Sequence, residues 1–153
     1  MHGEDDSFER PLGFEEPPAH FESATQIARV LTEQWALRWM FCPACGARQF
    51  SRFPNNSPVA DLRCEACREE FELKSTKSRF GRKVVDGAYG SMRERLASSN
   101  NPNFVLLRYE NLESGASRNA TDLMVIPKHF FTPGVIEARP PLSPSARRAG
   151  WVG

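Results

Sequence analysis

All four cysteines of this 153-residue chain lie within one stretch, residues 41–74, as two Cys-x2-Cys pairs. The pairs are Cys42 with Cys45 and Cys64 with Cys67. A gap of two residues lets both sulfurs of a pair reach one tetrahedral ion at about 2.3 Å, so this spacing predicts a four-thiolate zinc site. Because four thiolates complete the coordination and no histidine accompanies them, we expect the zinc to be structural rather than catalytic.

Two disulfides or buried free thiols are the alternative interpretations of these cysteines. The chain has no run of about eighteen apolar residues, and its N-terminus, Met-His-Gly-Glu-Asp-Asp, carries acidic residues where a signal peptide is basic and then apolar. We therefore expect a soluble, cytoplasmic protein without a membrane partner, in a compartment where disulfides are rare. Free thiols are not expected in two matched pairs, so zinc is the preferred interpretation.

A second set of reactive side chains, Asp61, Glu72 and Lys74, runs through the same stretch. Side chains two apart on a strand point the same way, so Glu72 and Lys74 share a face. A hairpin through the second cysteine pair would bring Asp61 onto the neighbouring strand. Two carboxylates, the carbonyl of Leu73 and water form the oxygen-rich shell that Mg²⁺ prefers. A lysine beside that ion can orient the attacking water, which predicts metal-assisted hydrolysis; a solvated strand face is the alternative.

The elements that must position these residues follow from the hydrophobic periodicity. The pattern predicts, in chain order, a helix from Ser23 to about Met40, strands at 59–63 and 69–75, a helix from Asp86 to about Ser99, and strands at 104–109 and 123–126. Ser23 with Gln26 has the spacing of a capping box, and Asp86 is the expected N-cap of the second helix. Polar loops are expected at 54–58 and 110–119, and an extended, irregular tail from residue 132. This order of elements indicates an α/β fold.

Charge is divided unevenly along the chain. Residues 1–22 hold seven acidic residues and one basic residue and show no apolar period, so we expect an acidic arm without regular structure. The remaining residues hold 19 basic and 12 acidic side chains. This basic body, residues 23–153, suits a polyanionic partner such as nucleic acid.

The spacing Pro58-x-x-Asp61, then Glu72-x-Lys74, resembles the PD-(D/E)xK nuclease superfamily, although Pro and Asp are not adjacent here. Further segments, at 69–75, 86–89, 100–104 and 146–151, make the chain from about residue 24 to 153 similar to the DpnI-like family of methyl-directed restriction endonucleases. The resemblance implies a restriction-endonuclease-like core, in which a central mixed sheet is flanked by helices and carries an inserted four-cysteine zinc ribbon at 42–67.

The same resemblance implies an activity. The expected reaction is hydrolysis of double-stranded DNA at adenine-methylated Gm6ATC sites, leaving blunt ends. Asp61 and Glu72 would hold Mg²⁺ with the carbonyl of Leu73, and Lys74 would assist the water. Glu33 on the first helix could add a further acid, but a solvated helix glutamate is the preferred interpretation.

Two basic segments acquire candidate roles in DNA binding. Lys77, Arg79, Arg82 and Lys83 follow the catalytic strand and can neutralise phosphates, although a solvated loop is the alternative. Two arginines, Arg147 and Arg148, offer hydrogen-bond donors to phosphate. Trp151 offers an aromatic face that suits an N6-methyl group. Packing of Trp151 in the core is the alternative there.

The chain is expected to differ from the family at its C-terminal end, and a second function is the alternative. DpnI-like enzymes carry a C-terminal winged helix that also reads methylated DNA, and we expect this domain to be absent after Gly153. The chain would then be a fragment, a truncated product or a minimal nuclease. The alternative function is a non-catalytic zinc-ribbon module that binds nucleic acid, or an inactive fragment. The oligomeric state is open, a monomer included.

Overall fold

The computed structural model describes residues 23–53, 60–85, 87–99, 101–111 and 118–153. Its helices and strands are, in chain order, α1 Ala24–Trp39, β1 Phe50–Arg52, β2 Leu62–Cys64, β3 Glu70–Thr76, α2 Tyr89–Ala97, β4 Asn103–Asn111 and β5 Arg118–Ile126. Two 3-10 turns, Lys128–Phe130 and Pro133–Val135, follow β5. The expected acidic arm, the loop at 54–58 and the proposed N-cap Asp86 lie outside the described residues.

The five strands form one sheet in the order β1-β2-β3-β4-β5. The β3–β4 pair is parallel, and the other neighbouring pairs are antiparallel. A parallel pair needs a long crossover connection, and α2 supplies it between β3 and β4. The prediction of an α/β fold with a mixed sheet and helices, of the restriction-endonuclease-like kind, is therefore confirmed.

Strand β3 divides its side chains between two environments because successive residues point to opposite faces. Phe71 and Leu73 are buried in the main core cluster, to which α1 contributes Trp35 and Ala36. Glu70, on the alternate set, forms an ion pair with Arg95 of α2. The catalytic candidates Glu72 and Lys74 belong to this alternate set.

A second, smaller core cluster lies on the α2 side of the sheet. It contains Met92 and Leu96 of α2 and Phe104 of β4, with Phe131 packed against it. Val105, the next residue of β4, belongs instead to the main cluster. The sheet is thus covered by α1 on one face and by α2 on the other.

Several predicted element boundaries are wrong. Strand β1 was not expected, because three mixed residues show no period; it forms where the cysteine pairs bring Phe50 opposite Cys64. Ser23 is the N-cap of α1, but its side chain makes no capping hydrogen bond. The N-cap of α2 is Ala88 rather than Asp86. Strands β4 and β5 are longer than predicted, because the backbone pairing between them extends through polar residues.

The C-terminal segment contains no strand after β5 in the described residues, but it is not extended as predicted. The N–H of Arg139 donates to the carbonyl of Gly153 (2.9 Å), and that of Leu142 donates to the carbonyl of Trp151 (2.9 Å). The segment from 139 to 153 therefore closes on itself as a loop. No helix in the part of the chain that the structure describes is long and apolar enough to cross a membrane.

Candidate functional site

The four cysteines converge at one point, as their spacing predicts. Their sulfurs lie within 4.8 Å of one another, with 3.6 Å between Cys42 and Cys67 and 3.6 Å between Cys45 and Cys64. A tetrahedral ion with sulfur ligands at about 2.3 Å separates those sulfurs by about 3.8 Å. None of the four forms a disulfide, which would require about 2.05 Å. The cluster therefore fits a single zinc-sized ion.

Both cysteine pairs adopt the same backbone turn. The N–H of the first cysteine donates to the carbonyl five residues on, and the N–H after the second cysteine donates back to the first cysteine's carbonyl. These distances are 2.7 Å and 2.7 Å for the Cys42 pair and 2.9 Å and 2.9 Å for the Cys64 pair. The residue after each second cysteine is left-handed, Gly46 at φ 79° and Arg68 at φ 67°. Each turn therefore presents its two sulfurs on one side.

The thiols of the cluster differ in their ease of ionisation. Burial raises the pKa of Cys42 to about 12, although backbone N–H groups of its own turn oppose the effect. Burial also acts on Cys64, but backbone N–H groups of Cys67 and Ala66 outweigh it and lower the pKa of Cys64 to about 7. Hydrogen bonds to the sulfur favour the thiolate, which is the form that binds a metal.

An open cleft of about 720 Å³ contains the carboxylate set. Its walls come from the first half of α1, the residues before β2, and strand β3. Asp61, Glu72 and Lys74 all line this cleft, together with Leu73 and Glu33. The fold thus brings the sequence-predicted set to one surface, on elements separated by the second cysteine pair.

The backbone and side chain of Asp61 are both held in place. Its N–H donates to the carbonyl of Phe71 (2.9 Å), and its carbonyl accepts from the N–H of Phe53 (3.0 Å). The N–H of Leu73 donates to Oδ2 of Asp61 (2.8 Å), and Nη2 of Arg29 donates to Oδ1 (3.2 Å). Each carboxylate oxygen therefore has a defined partner.

Glu72 and Lys74 form a close pair in the cleft that Asp61 also lines. Nζ of Lys74 lies 2.8 Å from Oε1 of Glu72, and the glutamate side chain is 7% exposed. The N–H of Leu73 faces Asp61, and the C=O of a strand residue points to the same side as its N–H, so this carbonyl also faces Asp61. Two carboxylates and a carbonyl are the hard oxygen donors that Mg²⁺ binds, so these residues fit that ion.

The interpretation of Glu33 as a solvated glutamate is wrong. Its side chain is 12% exposed and accepts a hydrogen bond from Nε of Arg29 at 2.7 Å, while Nε of Arg52 lies 3.8 Å away. Glu33 does not close a cage with Asp61 and Glu72, because only the cysteines, among the described residues, bring three or more ligand groups within 4.8 Å. Sequence reasoning missed Arg29, although its spacing of four from Glu33 is a helical ion-pair signal.

The first basic segment leaves β3 and runs along the surface. Lys77 lines the cleft, and Arg79 and Arg82 are exposed. Lys83 is also exposed and pairs with Glu137. One basic side chain of the segment, that of Lys77, therefore lies in the cleft wall, and the other three are exposed on the surface after β3.

The second basic segment lies on the closed C-terminal loop. Arg147 and Arg148 are exposed, and the guanidinium of Arg148 lies 4.7 Å from the centre of the Trp151 ring. Trp151 is half-buried and is not a member of either core cluster. The N–H of Tyr89 donates to the carbonyl of Val152 (3.1 Å), which ties this loop to the start of α2.

A family model described as DpnI, Dam-replacing family, matches residues 15–153. The matched span includes the cysteine cluster, the carboxylate cleft and both basic segments. It also covers every described helix and strand.

Proposed function

The chain belongs to the DpnI family, and on that premise we propose that it is a Mg²⁺-dependent endonuclease that cleaves adenine-methylated double-stranded DNA. Membership implies a restriction nuclease that acts on DNA. The finer parts of the proposal are cleavage at Gm6ATC sites, blunt ends and the identity of the ions. The observation that carries the proposal is the single cleft lined by Asp61, Glu72 and Lys74.

The proposed chemistry assigns each side chain a task. Asp61 and Glu72 would hold the ion with the carbonyl of Leu73, and the N–H of Leu73 fixes the orientation of the Asp61 carboxylate. When bound there, the ion would supply Lewis-acid stabilisation of the phosphate and would lower the pKa of its water. Lys74, held by Glu72, donates a hydrogen bond to the attacking water or to the phosphate. The water oxygen bonds to phosphorus as one P–O ester bond breaks, the water loses a proton to solvent, and the departing sugar oxygen takes up a proton from solvent to leave as a hydroxyl.

The cysteine cluster is proposed to hold a structural Zn²⁺. Cys42 and Cys64 are fully buried and share a core cluster with Phe71, the residue before Glu72. Phe71 also contacts Phe50 of β1, with ring centres 5.6 Å apart. An ion that fixes the two cysteine turns would therefore fix β1 and β2, and with them Asp61, relative to β3.

The basic segments are proposed to contact the DNA. Lys77, Arg79, Arg82, Lys83, Arg147 and Arg148 would neutralise phosphates, which gives affinity without sequence information. Trp151 is proposed to offer an apolar surface to the N6-methyl group. Because Arg148 covers one face of its ring, that contact would use the ring edge or the other face.

Plasmid cleavage tests the proposal. Fully adenine-methylated and unmethylated plasmids are incubated with Mg²⁺ and the wild-type protein, Asp61→Asn or Lys74→Met. We expect cleavage of the methylated plasmid alone, and a loss of at least about a hundredfold in rate for each variant. Glu94→Gln, at an exposed position of α2, is the matched control and should cleave normally.

Each other outcome removes a defined part of the proposal. Equal cleavage of both plasmids would eliminate the methyl-directed part. No cleavage of either plasmid, combined with DNA binding that Asp61→Asn leaves unchanged, would instead support the non-catalytic zinc-ribbon module.

A further inference from the structure

The acidic side chains of the cleft are matched by basic ones from the same chain. Oδ1 of Asp61 accepts from Arg29, Glu33 accepts from Arg29 and lies near Arg52, and Glu72 pairs with Lys74. Three carboxylates thus face three cations. A divalent ion that enters this cleft meets positive side chains as well as its oxygen ligands, and like charges repel at these distances.

Arg29 is the cation placed most directly in the way of such an ion. Its Nε lies 2.7 Å from Oε1 of Glu33, and its Nη2 lies 3.2 Å from Oδ1 of Asp61. Oδ2 of Asp61 is engaged by the N–H of Leu73, so Arg29 takes the other oxygen. The planar guanidinium can span carboxylates on two separate elements, which the single ammonium of a lysine does less well.

Arg29 is also placed to leave this position. Its side chain is 61% exposed, whereas those of Glu33 and Asp61 are 12% and 15% exposed. An exposed ion pair contributes little free energy, so its rearrangement costs little. Phosphate is a strong bidentate partner for arginine, and Arg29 lines the same cleft as Lys77 of the first basic segment.

We propose that Arg29 is a placeholder cation that competes with the divalent ion for Oδ1 of Asp61 and yields when a DNA phosphate attracts its guanidinium. Glu33 is then a positioning residue that holds Arg29 rather than an ion ligand. The inference rests on the proposed ion site at Asp61. It makes ion binding weak without DNA and couples the two ligands, each of which strengthens the other by the same factor.

Calorimetric titration of the full chain with Mn²⁺ in the absence of DNA tests the competition. We expect Arg29→Gln to bind Mn²⁺ about fivefold more tightly than wild type, because the competing ion pair is lost. Arg38→Gln is the matched control; it lies on the same helix, stacks over Trp39 at 5.1 Å and does not line the cleft. Its Mn²⁺ affinity should equal that of wild type.

A second measurement tests the coupling. In a Lys74→Met background, in which cleavage is expected to be at least about a hundredfold slower, Mn²⁺ should tighten binding of a methylated duplex, and adding Arg29→Gln should reduce that factor. A folding defect would weaken Mn²⁺ binding, so a gain in affinity has no purely structural explanation. Unchanged or weaker Mn²⁺ binding by Arg29→Gln would overturn the inference.

The outcomes also separate the inference from the proposed function. If Asp61→Asn binds Mn²⁺ as wild type does, the ion site is elsewhere, and both the proposed ion site and the placeholder role fail. If Arg29→Gln tightens binding but wild type never cleaves DNA, the placeholder role stands and the proposed endonuclease activity fails.

Discussion

Gly46 and Arg68 occupy equivalent positions after the two cysteine pairs, and both have left-handed backbone. The conformation turns the N–H of each residue back to the carbonyl of the first cysteine in its pair. Glycine adopts it without steric cost, whereas an arginine loses about 1 kcal/mol or more. The second turn therefore carries local strain that the first does not.

Substitution at Gly46 should reveal the cost of this conformation. We expect Gly46→Ala to lower the free energy of unfolding by about 1–2 kcal/mol. No heavy atom lies within 4 Å of an added Cβ, so the effect is one of backbone conformation alone. The measurement is urea unfolding of zinc-saturated protein.

Gly90→Ala is the matched control. Its added Cβ would also meet open space, but Gly90 lies in α2, where alanine is favoured by about 0.5–1 kcal/mol. The two variants should therefore change stability in opposite directions. Changes of the same sign would show that the left-handed backbone at Gly46 is not the controlling factor.

Residue types and spacing predicted part of the site without knowledge of the fold. The spacing of the paired cysteines predicted that their sulfurs converge, because a short Cys-x2-Cys turn depends only on residues close in sequence. The placement of Glu33 and Arg29 could not be deduced in the same way. Whether a helical ion pair faces solvent or a cleft depends on how α1 docks against β3, which only tertiary packing decides.

At the scale of elements, Asn103 joins the starts of β3 and β4 to the turn after β5. Its Nδ2 donates to Oε2 of Glu69 (2.8 Å) and to the carbonyl of Glu70 (3.1 Å), and its Oδ1 accepts from the N–H of Lys128 (2.9 Å). Nζ of Lys128 donates to Oε1 of Glu69 (2.8 Å). These bonds hold together the end of the sheet at which β3 begins.

The network should appear in the pH dependence of stability. The hydrogen bond from Lys128, assisted by that from Asn103, lowers the pKa of Glu69 below its ordinary 4.5 against the opposing effect of burial. A lowered pKa adds stability that is present above 4.5 and is lost as the pH falls through the folded-state value.

Glu69→Gln should therefore cost about 1 kcal/mol at pH 7, and the difference from wild type should shrink below pH 4.5. Urea unfolding at pH 7 and at acid pH measures both values. Glu94→Gln, which removes a carboxylate at an exposed position of α2, is the control. A difference that is constant with pH would contradict the assignment of the carboxylate as the stabilising form.

Elements with a strong internal pattern were predictable, and elements that depend on a neighbour were not. The periodicity of α1 and the alternation in β3 gave boundaries within two residues of those observed. β1 has only three residues, and its pairing with β2 depends on the cysteine cluster. The residues before α2 do not specify that the helix starts at Tyr89.

At the scale of the whole molecule, the proposed zinc should support the main core. We expect about one zinc per chain by elemental analysis and a large fall in melting temperature on chelation, because Cys42 and Cys64 are core residues. Adding zinc back should restore the melting temperature, whereas Mg²⁺ alone should not. If zinc-free protein has the same melting temperature as zinc-containing protein, the result contradicts the proposed site.

Salt dependence should report the proposed phosphate contacts. The logarithm of DNA affinity falls with the logarithm of salt concentration by about 0.9 per phosphate contact. Removing two contacts with the double variant Lys77→Ala, Arg82→Ala should lower the slope by about 2. Arg38→Ala removes a cation with no proposed DNA contact and should leave the slope unchanged. An equal effect from Arg38→Ala would show a general charge effect instead.

The alternation in β3 has a consequence for how the protein can fail. A slip of one residue in the pairing of β3 would turn Phe71 and Leu73 out of the core and bring Glu72 and Lys74 into it. The same error would therefore remove the cleft chemistry and the main hydrophobic contacts together. A chain with the slipped register would lack the contacts that keep it compact. The specific activity of refolded protein should therefore be proportional to the fraction of chains that are folded.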